Sequence, residues 1–128
     1  RATGSAGDIA FADREAVLAA YQRFLPILPA DPSHPLLRRK SPTVRFKGSW
    51  SVRLHSQGHH VAHVHPDGWF SSAFHFVVPP GGTGADELAG CLTLGEPPEE
   101  LGLDLGHRRV VRPRPGWLVL FPSYMWHG

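Results

Sequence analysis

The histidines of the chain are most concentrated in one short segment, GHHVAHVHPDGW, which spans residues 58–69. Four of the nine histidines lie within seven residues of this segment, from His59 to His65. Imidazole nitrogen is a good ligand for zinc, copper, iron and nickel. So dense a group of histidines indicates a metal site, and a histidine-rich strand at a solvated sheet edge is the alternative.

The pattern of this segment predicts a strand followed by a turn. Alternate side chains of a strand share one face, so His63 and His65 point the same way, about 7 Å apart along the chain. Pro66-Asp67-Gly68 then forms a turn, because proline fixes φ and glycine tolerates positive φ. Two imidazoles placed in this way can chelate one ion.

A third histidine stands near the end of the sequence, in Phe121-Pro122-Ser123-Tyr124-Met125-Trp126-His127. A lone histidine beside aromatic residues is more often a packed core residue than a ligand. Together with the upstream His63-x-His65 pair, however, His127 supplies the third ligand of a catalytic site and leaves coordination positions open for substrate.

Length and composition restrict the class of protein. The 128 residues correspond to one domain, and a hydrophobic content of 41% suffices for a core. The net charge of +2 gives no reason to expect a nucleic-acid or membrane partner. Cys91 is the only cysteine, so no internal disulfide can form, which favours a reducing, cytoplasmic compartment. No apolar run has membrane-spanning length, and no signal-peptide pattern opens the sequence.

The charges are distributed unevenly along the chain. Residues 1–48 hold eight Lys/Arg against four Asp/Glu, and residues 84–107 hold six acidic residues and no Lys or Arg. A cluster of four arginines follows directly: Arg108, Arg109, Arg112 and Arg114. A solvated basic strand is the simpler interpretation of this cluster, and an anion-facing patch is the alternative.

The remaining pattern predicts one helix followed by about six short strands. The helix is expected at residues 13–25, with Asp13 as its cap and Pro26 ending it. Strands are expected at residues 50–54, at the histidine segment, and at 69–78, 88–94, 110–111 and 117–121, with turn signals between them. Such a series is typical of an all-β sandwich or barrel, in which distant strands can bring the three histidines to one opening.

The strand expected at residues 69–78 has two different faces. One face carries phenylalanine and valine and is expected to pack in the core. The other carries Ser71, Ala73 and His75, which are small or polar. An inner face of that kind leaves room for a ligand, whereas the simpler interpretation is that it meets solvent. Trp69, Trp117 and Trp126 could line a pocket, but tryptophan in so small a domain is more often a core residue.

Two motifs, HVHPDGWFSSAFHFVVP (63–79) and PRPGWLVLFPSYMWHG (113–128), resemble the 2-oxoglutarate- and Fe(II)-dependent oxygenases, in the branch often found beside tetratricopeptide repeats. Members of that branch share an H-x-H-P segment, a following Ser-Ser/Gly strand, and a Pro-x-Gly-x-Leu-x-Leu-Phe-Pro-Ser segment that ends in Trp-His-Gly. The resemblance covers roughly residues 49–128. Residues 1–48 form the helix and an irregular basic lead-in.

The resemblance implies a double-stranded β-helix, or jelly roll, as the fold of residues 49–128. It implies Fe(II) as the metal and 2-oxoglutarate as a small-molecule cosubstrate. The expected reaction couples oxidative decarboxylation of 2-oxoglutarate to hydroxylation of a C–H bond in a primary substrate, either a protein side chain or a small molecule. The implied metal ligands are His63, His65 and His127, and no catalytic residue is expected beyond them.

Two ligand sets compete under this resemblance. The wider superfamily uses His-x-Asp/Glu and a distal histidine, and His65-Pro66-Asp67 also has that spacing. Asp67 is therefore an alternative ligand in a set with His65 and His127. The position after His-Pro is often not acidic in the resembling branch, which favours the three-histidine set. Neutral ligands would leave the site more positive and favour an anionic cosubstrate.

The cosubstrate contacts are expected at Ser71, His75 and Arg53. In these oxygenases an arginine on the strand after the distal histidine pairs with the far carboxylate of 2-oxoglutarate, a task that suits its bidentate fork. The sequence stops at Gly128, one residue after His127. We therefore expect either a piece of a longer protein, with a jelly roll lacking its last strand, or substitution by Arg53.

Two other functions remain compatible with the same residues. Three histidines also suit Zn(II), or Fe(II) in a cupin-like metalloenzyme that does not use 2-oxoglutarate. A non-catalytic binding domain that retains the fold is the third possibility, because the charge segregation and the early end of the sequence permit it.

Overall fold

The computed structural model describes residues 6–48, 60–75, 78 and 87–128. The chain divides into two compact units, Arg1–Arg53 and Leu54–Gly128. The strand expected at residues 50–54, and with it Arg53, lies outside the described residues.

The first unit contains helix α1, Ala6–Phe24, followed by short 3-10 turns at Leu25–Ile27 and Leu37–Arg39. The prediction that the helix begins at Asp13 is wrong, because α1 starts seven residues earlier. Its first two turns are rich in alanine, the residue of highest helix propensity, which outweighs the capping tendency of an aspartate inside the helix. No helix among the described residues is long and apolar enough to cross a membrane.

Two side chains hold the irregular segment after the helix. Tyr21 is buried, and its hydroxyl donates a hydrogen bond to the carbonyl of Ser41. The ammonium of Lys40 donates to the carbonyl of Leu28 at 2.7 Å. These contacts hold both ends of a proline-rich stretch that consists largely of turns.

The second unit is built from short antiparallel strands. Strand β1, Phe70–Phe74, pairs with β4, Leu118–Pro122, with Ser71 opposite Phe121 and Phe74 opposite Leu118. Strand β2, Leu92–Leu94, pairs with β3, Arg109–Val111. The described part is thus all-β with one N-terminal helix, as the sequence pattern predicts.

Single bridges connect the end of the chain to both the histidine segment and β2. His127 pairs with His63 on one side and with Leu94 on the other. The amide of Thr93 also donates to the carbonyl of Gly128 at 3.0 Å. The last residues therefore run as a short strand between two segments that are distant in sequence.

Two of the predicted strands are shorter in the structure. The one expected at residues 88–94 begins only at Leu92, because residues 87–90 form a turn in which Gly90 has φ of 77°. A left-handed residue cannot continue a strand. Strand β1 ends at Phe74, and residues 76–77 of its expected range lie outside the described residues.

Candidate metal centre

The structure brings His63, His65 and His127 together in one cluster. The backbones of His63 and His127 exchange two N–H···O=C hydrogen bonds of 3.0 Å, and the amide of His65 donates to the carbonyl of Ser123 at 2.9 Å. Their ring centroids lie 4.3 to 5.1 Å apart. Backbone pairing between two distant segments therefore sets the positions of all three imidazoles.

The spacing of the donor atoms fits a single metal ion. One ligand atom from each ring lies within 4.8 Å of the others. Metal–nitrogen bonds of about 2.1 Å allow two ligand atoms to be at most about 4.2 Å apart. Ring movements of less than about 1 Å are thus enough to place the three nitrogens around one ion.

Hydrogen bonds orient two of the rings for coordination. The Nδ1 atom of His63 lies 2.9 Å from the carbonyl oxygen of Val61, and that of His127 lies 2.8 Å from the carbonyl oxygen of Met125. A carbonyl only accepts, so Nδ1 carries the proton in both rings and Nε2 keeps its lone pair. A hydrogen bond from the ring nitrogen that does not bind the metal is the usual way in which proteins fix the tautomer of a metal-binding histidine.

Burial also favours the neutral, metal-binding form of the cluster. His127 is buried, with 6% of its surface exposed. Desolvation lowers the pKa of His127, and the neighbouring His63, His65 and His60 lower it further, against the hydrogen bond to Met125. Desolvation and His63 likewise lower the pKa of His65. Since a metal must displace a proton from a charged imidazole, these shifts help binding near neutral pH.

Asp67 is not a member of the group of possible metal ligands found among the described residues. It lies in the turn after His65 and is exposed, and the group of ligand atoms that the structure assembles consists of the three histidines. The amide of Gly68 closes the turn by donating to the carbonyl of His65 at 3.1 Å. The three-histidine ligand set therefore has geometric support that the set with Asp67 lacks.

Residues 48–128 match the model of a protein family described as "Putative 2OG-Fe(II) oxygenase". The chain belongs to this family. The family assignment confirms the resemblance that the two motifs carry, and the matched segment contains all three histidines of the cluster. Comparison with curated proteins and with solved structures gives no match.

A buried serine supports the candidate metal centre of this oxygenase-family chain. Ser123 is fully buried, and its hydroxyl lies 2.9 Å from the hydroxyl of Ser71. Its backbone accepts from His65 and donates to the carbonyl of Trp69. The ring of Phe121 packs 4.7 Å from that of His127. Ser71 thus lies next to the segment whose carbonyl holds the amide of His65.

The structure separates His75 from this environment. His75 lies just beyond the end of β1. It lines a cavity together with residues of β3 and β4. Its assignment to cosubstrate binding stays a prediction, as does that of Ser71, and Arg53 lies outside the described residues.

Sequence reasoning missed two contributors to the centre. Ser123 lies in the motif at residues 113–128, but no feature of that motif indicates that a serine between proline and tyrosine is fully buried. The sequence predicts a turn at Gly68, but it does not show that this residue packs tightly against Ser123. A Cβ at position 68 would lie 2.5 Å from the hydroxyl of Ser123. Both depend on the register between two distant segments.

Proposed function

We propose that this chain is an Fe(II)- and 2-oxoglutarate-dependent dioxygenase domain in which His63, His65 and His127 bind the iron. The observation that supports the proposal best is the convergence of three histidines, two with Nε2 left free for coordination, inside the segment that matches the oxygenase family. When bound, Fe(II) and 2-oxoglutarate supply oxidative decarboxylation coupled to hydroxylation of a substrate C–H bond.

The proposal includes a jelly-roll fold for the second unit. Its support is the set of antiparallel pairings: β1 with β4, β2 with β3, and His127 between His63 and Leu94. This arrangement places the histidine segment against the last residues of the chain and leaves the ligand cluster at the end of the β1–β4 pair.

The chain's own residues would perform three tasks in this reaction. The imidazoles hold the metal through neutral nitrogens and so leave its positive charge uncompensated by the protein. An uncompensated cation attracts an anionic cosubstrate such as 2-oxoglutarate. Phe121 and the buried Ser71–Ser123 pair surround the ligands on the strand side, which limits the access of water there.

The test is an anaerobic titration of the chain with Fe(II) and then 2-oxoglutarate, following the visible charge-transfer band of the iron chelate. We expect the band in the unaltered chain and in Asp67→Ala, and its loss in His63→Ala. His60→Ala is the matched control, since His60 is an exposed histidine of the same segment outside the cluster.

Two other outcomes would contradict the ligand set or the proposed reaction. Loss of the band in Asp67→Ala, with retention in His63→Ala, would replace the ligand set. Iron binding without a band, and without conversion of 2-oxoglutarate to succinate, would reject the dioxygenase and favour a metalloenzyme that does not use this cosubstrate.

A further inference from the structure

A cavity, which we call the arginine cavity, lies between β3 and the end of β1. It has a volume of about 340 Å³, and its walls include three arginines, His75, Trp117 and valines of β3 and β4. The three arginines are Arg109, Arg112 and Arg114. None of the three clustered histidines lines it. The cavity therefore combines cationic side chains with an apolar wall, as small-molecule sites commonly do.

The arginine cavity is separate from the candidate metal centre. Ser71 touches Ser123, whose carbonyl holds the amide of His65. His75 follows Ser71 by four residues along β1 and its extension, which corresponds to about 14 Å at the rise of a strand. A ligand of the arginine cavity is thus a different ligand from one bound to the three histidines.

The four arginines of the sequence cluster make different contacts in the structure. Arg112 binds the carboxylate of Glu87 at 3.1 Å, and the aliphatic part of Arg108 covers Gly95. Arg114 stacks on the ring of Trp117, 4.9 Å from its centroid. Among the described residues, neither Arg109 nor Arg114 has an acidic partner. Two guanidinium groups at this cavity therefore keep their hydrogen-bond donors for another anion.

The imidazole in the wall has an unmet hydrogen bond as well. The Nδ1 atom of His75 is buried and has no hydrogen-bond partner among the described residues. A buried polar atom without a partner costs free energy, which a ligand can recover by supplying one. The χ2 torsion of histidine is broad, so a small ring rotation can turn this nitrogen toward the cavity.

We propose that the arginine cavity binds an organic oxyanion, a carboxylate or a phosphate ester, through Arg109 and Arg114. The apolar body of the ligand lies against Trp117 and the neighbouring valines. The planar guanidinium fork matches both kinds of oxyanion in a bidentate arrangement. The stacking of Arg114 on Trp117 holds the fork in place and lowers the entropy lost on binding.

The test uses the metal-free chain with benzoate and phenyl phosphate as probes. Binding is measured by calorimetry and by the NMR shifts of the Trp117 indole and the His75 ring. We expect one of the two probes to bind with shifts at both residues, and benzyl alcohol, which is neutral, not to bind. The probe that binds more tightly identifies the oxyanion as a carboxylate or a phosphate ester.

Matched variants locate the binding site. Arg109→Gln and Arg114→Gln are each expected to weaken binding by about tenfold or more, the usual effect of losing a charge-assisted hydrogen bond. Arg108→Gln removes the same charge outside the cavity and is expected to leave the affinity within about twofold. His63→Ala is expected to bind the probe as the unaltered chain does, whatever the fate of the proposed iron site.

Three results would overturn the proposal. Equal weakening by Arg108→Gln would mean that the probe responds only to net charge. Loss of binding in His63→Ala would place the probe at the histidine cluster. Absence of shifts at Trp117 and His75 with both probes, in variants whose circular dichroism shows a folded chain, would mean that the cavity takes no such ligand.

Discussion

Gly68 controls how closely the turn after His65 approaches the end of β4. A Cβ atom at position 68 would lie 2.5 Å from the hydroxyl oxygen and 2.9 Å from the Cβ of Ser123. Ser123 is fully buried, so its side chain cannot move aside into solvent. We expect Gly68→Ala to lower the free energy of unfolding by about 1–3 kcal/mol, as overpacking does, measured by urea denaturation.

Gly106 provides the matched control for this substitution. A Cβ there has no atom within 4 Å, and the backbone is not left-handed. Gly106→Ala is expected to change the stability by no more than about 0.5 kcal/mol, as usual for an open surface position. Equal losses in the two variants would contradict a steric role for Gly68.

The Ser71–Ser123 hydroxyl pair is the second feature at the residue scale. Ser71→Ala would leave the fully buried hydroxyl of Ser123 without this partner. A buried polar group that loses its partner costs about 1–3 kcal/mol, whereas removal of both partners costs less than the sum of the two single changes. We therefore expect Ser71→Ala and Ser123→Ala to be non-additive in urea denaturation of the two single variants and the double variant. Additive losses would show that the hydroxyls do not depend on each other.

At the scale of elements, the histidine cluster joins two segments that are distant in sequence and that pair through their backbones. His63 lies on one segment and His127 on the other. A metal bound to both adds a connection that exists only in the folded state. Saturation with Fe(II) at 100 times its dissociation constant should stabilise the fold by about 2.7 kcal/mol.

Anaerobic thermal unfolding with and without Fe(II) measures this effect. We expect the increase in Tm to persist in His60→Ala and to vanish in His127→Ala. Mg²⁺, which prefers oxygen ligands, should produce no increase. A rise of equal size with Mg²⁺, or in His127→Ala, would show that the ion acts elsewhere on the chain.

At the scale of the whole molecule, one buried and two half-buried histidines make stability depend on pH. Desolvation lowers the pKa values of His65, His75 and His127 below the ordinary 6.5. Between these lowered values and 6.5 the unfolded chain binds more protons than the folded chain, so acid favours unfolding. The stability of the metal-free protein should be fully present above pH 6.5 and decline as the pH falls below it.

Urea denaturation of the metal-free chain at pH 7.5 and pH 5.5 checks this direction. His75→Gln removes one of the three groups without touching the metal cluster, and we expect a smaller decline in this variant. A free energy of unfolding that stays constant or rises toward pH 5.5 would contradict the assignment of neutral, desolvated imidazoles.

Much of the candidate centre could be anticipated because its signals are local. In an extended segment, the spacing of His63 and His65 places both side chains on the same side, whatever the surrounding fold. The turn at Pro66-Asp67-Gly68 also follows from the preferences of its own residues, and residues 66–67 form a turn in the structure. The start of α1 differs from the prediction because the alanine-rich residues before Asp13 extend the helix past the capping tendency of this aspartate.

The sequence by itself determined the all-β class with one helix, the oxygenase family and the identity of the candidate ligands, because alternation, turn residues and paired motifs are properties of neighbouring residues. Only the tertiary structure decided which residues meet across the chain. The burial of Ser123, its contact with Gly68, the meeting of His127 with His63 and His65, and the different contacts of the four arginines all depend on register between distant strands. Register arises from packing and backbone pairing over the whole unit, which no local pattern contains.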